Sequence, residues 1–271
     1  MEVAYQEMNS ITLKKVKDLV YFLIGIILIL LIFQILHWIK NNSIVLPSFI
    51  EVMSSFFGLL SKGETYVYIG YTLLNLIIAI TLGVLFGILL GVLGAKFEAA
   101  RKIMKPIMSL LRMLPVIVLI IILMVTTSYR FAPAITGILI ITPIVYEGVK
   151  EGIININRDY IDAYLMVSRF NFLVLIKVYI PLIASYIKQA FVTSLGMGIK
   201  VVITAEYVAG VTATLGYSVY SAVQLMEFTD IYAYTLIMIF LVIIVEYIPF
   251  MIWGIIKYHL FEKTNEIKLE K

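Results

Sequence analysis

Long apolar runs without acidic or basic residues are the feature that most restricts the fold of this chain. The first run, residues 19–39, contains no Lys, Arg, Asp or Glu and is about as long as a helix that crosses the hydrocarbon layer. Of 271 residues, 62% are hydrophobic and 14% are charged, whereas about 25% are charged in an ordinary soluble chain. We therefore expect lipid to solvate most of the chain.

The apolar runs predict an all-helical membrane protein with about six spans. We expect the spans at about 19–39, 66–95, 107–127, from Pro133 to Val149, 182–211 and 230–256. A short amphipathic segment at 48–60 is expected to lie along the outer interface. A basic loop from Lys96 to Pro106, a tight outer turn at 126–133 and an outer loop at 212–229 are predicted to connect spans.

The distribution of basic residues predicts the orientation in the membrane. Short cytoplasmic loops collect Lys and Arg, and here the outer segments hold only Lys40, Lys62 and Arg130. Both termini are therefore expected in the cytoplasm. We divide the chain into an N-terminal tail at 1–19, one membrane domain at 20–256 with a cytoplasmic loop at 150–181, and a C-terminal tail at 257–271.

Three glycines in the second predicted span indicate a helix-packing face. Gly83, Gly87 and Gly91 follow one another at intervals of four residues, which places them on one side of a helix. Small residues on such a face let the backbones of two membrane helices approach closely. We expect these glycines to contact a neighbouring span.

Ionisable residues inside membrane spans are costly and raise a functional question. Glu147 and Glu206 either face the translocated solute or lie near span ends in water. Lys200 and Glu246 also qualify: Lys200 forms a structural pair with Glu246 or Glu147, or contacts an anionic solute. Thr204 either adds a hydrogen bond to a passing solute or serves polar helix packing. Together these residues are the candidates for a translocation pathway.

The loop at 150–181 is the longest polar stretch on the predicted inner side. Two short helical pieces are expected at 159–167 and 172–179, separated by residues 168–171. Pro181 lacks a backbone N–H and marks the join to the fifth span. The segment is either a docking surface or a solvated amphipathic loop at the lipid headgroups.

The order of residues in this loop resembles the coupling loop of ABC importer permeases. In that family Glu-Ala-Ala, Gly and Ile-x-Leu-Pro occur at fixed spacings, which Asp162-Ala163, Ser168, Val178 and Ile180-Pro181 reproduce here. Three positions depart from the family pattern, namely Asp162, Tyr164 and Ser168. Loss of the glycine raises the cost of a left-handed turn residue, and Asn171 is expected to move the turn slightly downstream.

Further matches extend the resemblance over about residues 44–260. They comprise Leu46-Pro47-Ser48, the glycines of the second span, Arg112 with Leu114-Pro115, and Ala205-Glu206. They are similar to the nitrate, sulfonate, taurine and bicarbonate permeases. The resemblance implies a type I importer fold in the bacterial cytoplasmic membrane and a small, anionic or polar organic solute.

The resemblance also implies partners. They are a second permease subunit, identical or related, two cytoplasmic ATPase subunits and an extracytoplasmic solute-binding protein. Membrane lipid would surround the spans. ATP and Mg would be bound by the ATPase, so no cofactor is expected in this chain. The residues expected at the ATPase-coupling surface are Asp159, Asp162, Ala163, Ser168, Arg169, Asn171 and Pro181.

Several activities are not supported by the sequence. No G-x-x-x-x-G-K-[ST] phosphate-binding loop occurs, so the chain is not expected to hydrolyse ATP itself. There is no cysteine, and His37 and His259 are predicted on opposite faces of the membrane, which excludes a joint metal site. The basic residues are scattered, which disfavours nucleic acid as a partner.

Two other classes of membrane protein remain as alternatives. A secondary transporter driven by an ion gradient would carry coupling carboxylates deep in broken helices and would show an internal repeat, which we do not find. An intramembrane enzyme would need a nucleophile and a base at matched depth, and no such pair is apparent in the spans. The permease interpretation accounts for the residues best.

Overall fold

The computed structural model describes the backbone of residues 2–40, 45–157 and 180–257. In those ranges it contains nine α-helices and no strand, which confirms the all-helical prediction for this part of the chain. The helices are α1 (Glu2–Lys40), α2 (Phe49–Leu60), α3 (Gly63–Lys96), α4 (Glu98–Met113), α5 (Val116–Thr126), α6 (Ala132–Ile154), α7 (Ile180–Ala209), α8 (Leu215–Gln224) and α9 (Phe228–Lys257).

Five of these helices contain a stretch that is long and apolar enough to cross a membrane. The stretches are Val20–Lys40, Gly63–Lys96, Ala132–Ile154, Pro181–Ala209 and Phe228–Tyr247. A sixth span exists only if α4 and α5 are taken together as one broken span, because neither helix qualifies alone. The predicted total of about six therefore depends on how this bent pair is counted.

The prediction of a continuous third span at 107–127 is wrong. Leu114 has φ −63° and ψ 128°, which is extended backbone, and the axes of α4 and α5 differ by 102° across the break. Pro115 is the cause, because the ring of a proline disfavours helical geometry in the residue before it. The 11 residues of α5 would cover only about 16 Å, roughly half of the hydrocarbon thickness.

The basic loop predicted from Lys96 to Pro106 is also wrong. Only Phe97 is extended there, and α4 begins at Glu98 and continues through Pro106. Lys102 and Glu98 form an exposed ion pair of 2.9 Å one turn apart on this helix. Alternation of basic and apolar residues in this segment therefore reflected an amphipathic helix rather than an irregular connection.

Smaller outcomes concern α1, α8 and α2. The predicted N-terminal tail is helical, since α1 begins at Glu2. The predicted outer loop at 212–229 contains α8. The amphipathic segment at 48–60 does form a helix, α2, which begins with a capping box between Ser48 and Glu51. The backbone N–H of Ser48 donates to the Glu51 carboxylate and lowers its pKa.

The chain divides into two compact units, of which the first comprises Met1–Ser61 and Ala222–Ala233. His37 Nδ1 lies 2.7 Å from the Leu46 carbonyl oxygen, and the Ser55 hydroxyl donates to the Asp230 carboxylate at 2.5 Å. The rings of Phe33 and Tyr232 make an edge contact with centroids 5.6 Å apart. These contacts join three separate parts of the sequence within the unit.

The second unit, Lys62–Ser221 and Tyr234–Lys271, is built on close contact between α3 and α6. Gly83, Gly87 and Gly91 lie against three residues of α6 at the same four-residue interval, Ile141, Val145 and Val149. Because the residue numbers of the contacting pairs increase together along both helices, α3 and α6 run in the same direction. The parallel arrangement agrees with a chain that crosses the membrane between these two helices.

Glycines of α6 also bring α7 close on another side. Gly137 lies against Val202 and Ala79, Gly148 against Ala190, and Gly152 against Ile183 and Tyr186. Residue numbers on α7 fall as those on α6 rise, so these two helices are antiparallel. The core of the unit is therefore a three-helix contact with α6 at its centre.

We expect Gly87→Ala to destabilise the protein, because a Cβ at Gly87 would lie 2.5 Å from the Val145 Cβ. Overpacking of this kind costs about 1–3 kcal/mol. Gly70→Ala in the same helix is the matched control, since a Cβ there meets nothing within 4 Å. Thermal unfolding in detergent should give a lower midpoint for Gly87→Ala and an unchanged or slightly higher one for Gly70→Ala. Equal midpoints for the two variants would contradict the packing described here.

Candidate functional site

Glu206 on α7 is completely buried in the second unit, with 0% of its surface exposed. The Thr72 hydroxyl donates to one carboxylate oxygen at 2.8 Å, and the Asn75 amide donates to the other at 2.9 Å. The backbone N–H of Gly216 is a third donor at 3.4 Å. The expectation that Glu206 lies in water near a span end is therefore wrong. Neutral donors from α3 and α8 satisfy this carboxylate.

Two further hydrogen bonds of Glu206 and Thr72 shape the turn from α7 into α8. Gly210 has a φ of +61°, and the Val211 N–H donates to the Glu206 carbonyl at 3.1 Å, which closes α7 in a Schellman motif. The Thr72 hydroxyl oxygen also accepts from the Leu215 N–H at 3.0 Å, at the start of α8. A single threonine of α3 thus connects the carboxylate of α7 with the first turn of α8.

The sequence did not single out the partners of Glu206. Thr72 and Asn75 are three residues apart in an apolar span, so they share a helix face, and this spacing was the available signal. Gly216 was not distinguishable from other loop glycines. A Cβ on it would lie 2.5 Å from the Glu206 Cβ, so only glycine allows this approach.

A group of charged residues lies where α4 meets the later part of α6. Arg112 contacts Glu147 at 2.6 Å, and Lys150 contacts the same carboxylate from one turn away on α6. Lys150 also lies 3.2 Å from Glu151. Glu147 is therefore paired within this group, and the expected pair between Glu147 and Lys200 does not form.

Lys200 and Thr204 lie on an exposed face of α7. The Thr204 hydroxyl donates to the Lys200 carbonyl at 2.7 Å. Within the described residues Lys200 has no ion-pair partner, so the expected structural pair with Glu246 is wrong as well. Glu246 on α9 instead lies against Gly196, where a Cβ would be 2.5 Å from its carboxylate oxygen.

The expected ATPase-coupling residues lie almost entirely outside the described ranges. Pro181 is the exception, and it is exposed in the first turn of α7. The others that fall outside are Asp159, Asp162, Ala163, Ser168, Arg169 and Asn171. Of the two histidines, only His37 is in a described segment, and no group of three potential metal ligands occurs among the residues described.

We expect Thr72→Val to lower stability, because it removes the donor to Glu206 and the acceptor of the Leu215 N–H in one change. Leaving buried polar groups without partners costs about 1–3 kcal/mol. Thr81→Val, at an exposed position of the same helix, is the matched control. Thermal unfolding and limited proteolysis near α8 should distinguish the two variants. Similar behaviour of both would show that the hydrogen bonds around Glu206 contribute little.

Comparison with known proteins gives one family. Residues 83–257, nearly two-thirds of the chain, match the family model for the inner membrane component of binding-protein-dependent transport systems. No curated protein matches the chain. The matched region contains Gly83, Gly87 and Gly91 of α3, the bend between α4 and α5, and both Lys200 and Glu206. The chain therefore belongs to this family of inner membrane components and is a multi-pass permease subunit of a binding-protein-dependent ABC transporter.

Proposed function

We propose that the chain forms the translocation pathway of an ATP-driven importer for a small anionic or polar organic solute. Its energy would come from separate ATPase subunits that dock on residues 159–181. ATP and Mg would be bound by those subunits, since this chain has no phosphate-binding loop. The family match supports an ABC permease over a secondary transporter driven by an ion gradient.

The observation that carries this proposal is the packing of the two helices that flank the docking segment. The segment is attached to α6 on one side and to α7 on the other. Gly148 and Gly152 bring α6 against Ala190 and Tyr186 of α7, close to those attachments. Because α6 and α7 pack closely next to the segment, a partner that rotates the segment would move both helices together.

The charged group at Glu147 extends this connection to a further element. Arg112 is in the last turn of α4, and Glu147 is in the last two turns of α6. Pro115, at the bend, lies three residues after Arg112, so a displacement of α6 would reach the junction of α4 and α5. Exposed ion pairs contribute at most about 1 kcal/mol, so this contact would guide the motion without locking it.

The full transporter would contain two permease subunits, two ATPase subunits and a solute-binding protein at the outer mouth. ATP binding would close the ATPases, move the docking segments and open the pathway outward, and hydrolysis would reset it. This is alternating access by rigid-body motion. Nitrate, sulfonate, taurine or bicarbonate transport is the subtype that the sequence resembles.

We expect Asp162→Lys combined with Arg169→Glu to reduce co-purification of the ATPase with this chain by about tenfold or more. The double change keeps the net charge but reverses both docking charges, which costs several kcal/mol if both face partners of opposite charge. Solute-stimulated ATP hydrolysis by the reconstituted transporter should fall in parallel. Pull-down from membranes and a phosphate-release assay measure the two effects.

The control for this experiment reverses two exposed charges that are predicted on the outer side, Arg130→Glu with Glu227→Lys. It also keeps the net charge, and ATPase co-purification should remain normal. Unchanged ATPase binding and hydrolysis in the Asp162 and Arg169 variant would refute docking at this segment. Equal losses in both variants would indicate general misfolding, which size-exclusion chromatography of each variant detects.

A further inference from the structure

Lys200 is the charged residue whose position in the second unit is hardest to explain by structure alone. It lies nine residues before the end of α7 at Ala209, which places it about 14 Å along the helix from that end. Its side chain is exposed, and no described carboxylate lies within ion-pair distance. A cation at this depth in a membrane is costly and almost always faces a partner or a water-filled cavity.

A groove of about 380 Å³ opens beside Lys200, between α7 and α9. Its floor and walls are formed by Lys200, Ile203, Thr204, Thr235, Met238, Ile239, Val242 and Ile243. A second hollow that shares Ile203, Thr204, Thr235 and Met238 continues the groove to Tyr207 and Gly216. Apart from one cation and two threonines, the groove beside Lys200 is apolar.

The polar groups in this groove form a line along α7. Lys200, Thr204 and Tyr207 stand at intervals of four and three residues, so they share one face of the helix, and all three are exposed. The rings of Tyr207 and Tyr220 make an edge contact at 5.9 Å beyond Thr204. A solute entering from the end of α7 near Ala209 would thus meet aromatic, hydroxyl and cationic groups in order.

Glu246 is a carboxylate on α9, the helix that lines the other side of the groove from Lys200. It lies against Gly196, one helical turn from Lys200 in the direction of Ile180, and the two side chains are not ion-paired. The groove residues Val242 and Ile243 precede Glu246 by about one turn on α9. Among the described residues, Lys200 therefore has no ion-pair partner in the groove.

We propose that Lys200 forms an anion-binding contact within the translocation pathway, in the groove that it lines with Thr204. The solute class is a small singly charged anion, such as a carboxylate, a sulfonate or an inorganic oxyanion, whose apolar part faces Ile203, Met238 and Val242. The Lys200 ammonium group supplies the charge and donates hydrogen bonds to the anion. The Thr204 hydroxyl donates to the Lys200 carbonyl, so Thr204 contributes to the wall of the groove and not to the charge contact. This assignment rests on the proposed importer function and specifies its solute.

The absence of cysteine from the chain allows a direct test. Thr204→Cys places one thiol a single turn from Lys200. In the full transporter, embedded in nanodiscs of phosphatidylcholine, we would measure its reaction rates with anionic sulfonatoethyl and cationic trimethylammonioethyl methanethiosulfonate. The ratio of the anionic to the cationic rate should fall about tenfold or more when Lys200→Gln is added, since a charge one turn away acts on both reagents with opposite sign. Lys200→Arg should keep the ratio.

Two further variants serve as controls. Ile77→Cys places a thiol at an exposed position of α3, two residues from Ala79. Ala79 of α3 and Val202 of α7 both contact Gly137, so Ile77 and Thr204 lie at a similar depth in the membrane. We expect this exposed, apolar position to face lipid, so its thiol should react slowly with both reagents. Ile239→Cys lies in the groove and replaces Thr204→Cys if that variant does not assemble. The zwitterionic lipid ensures that no anionic headgroup competes for Lys200.

Two results would overturn the anion contact. Thr204→Cys and Ile239→Cys reacting no faster than Ile77→Cys would mean that the groove is covered rather than open to water. A rate ratio that does not depend on Lys200 would mean that the lysine charge is not felt in the groove. The importer function is tested separately in the same samples. A non-hydrolysable ATP analogue should alter the labelling rate with both reagents, and its failure to do so would count against the importer alone.

Discussion

Close backbone contact between α3, α6 and α7 is the constraint on which the rest of the second unit depends. Lipid chains are as apolar as leucine, so membrane helices gain little from burying apolar surface against each other and associate through tight packing. Gly87 admits Val145, and Gly148 admits Ala190, at distances that no larger residue permits. This close approach also brings Thr72 and Asn75 within hydrogen-bonding distance of Glu206.

Two ionisable residues of α7, Lys200 and Glu206, show how packing separates structural from functional roles. Lys200 and Glu206 are six residues apart, which places them about 120° apart around the helix. The glutamate therefore faces α3 and is satisfied by neutral donors, whereas the lysine faces the groove beside α9 without a described counterion. A buried carboxylate that accepts hydrogen bonds from its neighbours stabilises the fold, whereas a charged group without such partners remains available to a ligand.

Sequence patterns predicted what depends on local spacing. The four-residue interval of Gly83, Gly87 and Gly91 is a property of one helix, so its packing face was visible without a partner. The break at Leu114-Pro115 was local as well, but the high hydropathy on both sides concealed it. The partners of Glu206 could not be predicted, because Thr72 and Asn75 are more than 130 positions away in sequence. Only the path of the helices brings them together.

The central position of α6 gives the proposed coupling its mechanical basis. This helix contacts α3 and α7 through glycines and α4 through the Arg112 and Glu147 pair, and it precedes the proposed docking segment in the sequence. Packed protein interiors have low compressibility and therefore transmit a displacement from one helix to the next. A displacement at the segment would therefore be shared by α3, α6 and α7. The groove beside Lys200 has α7 as one wall and α9 as the other, so moving α7 against α9 would change its width. Access of an anion to Lys200 would then depend on the state of the ATPase, and no other element would have to move.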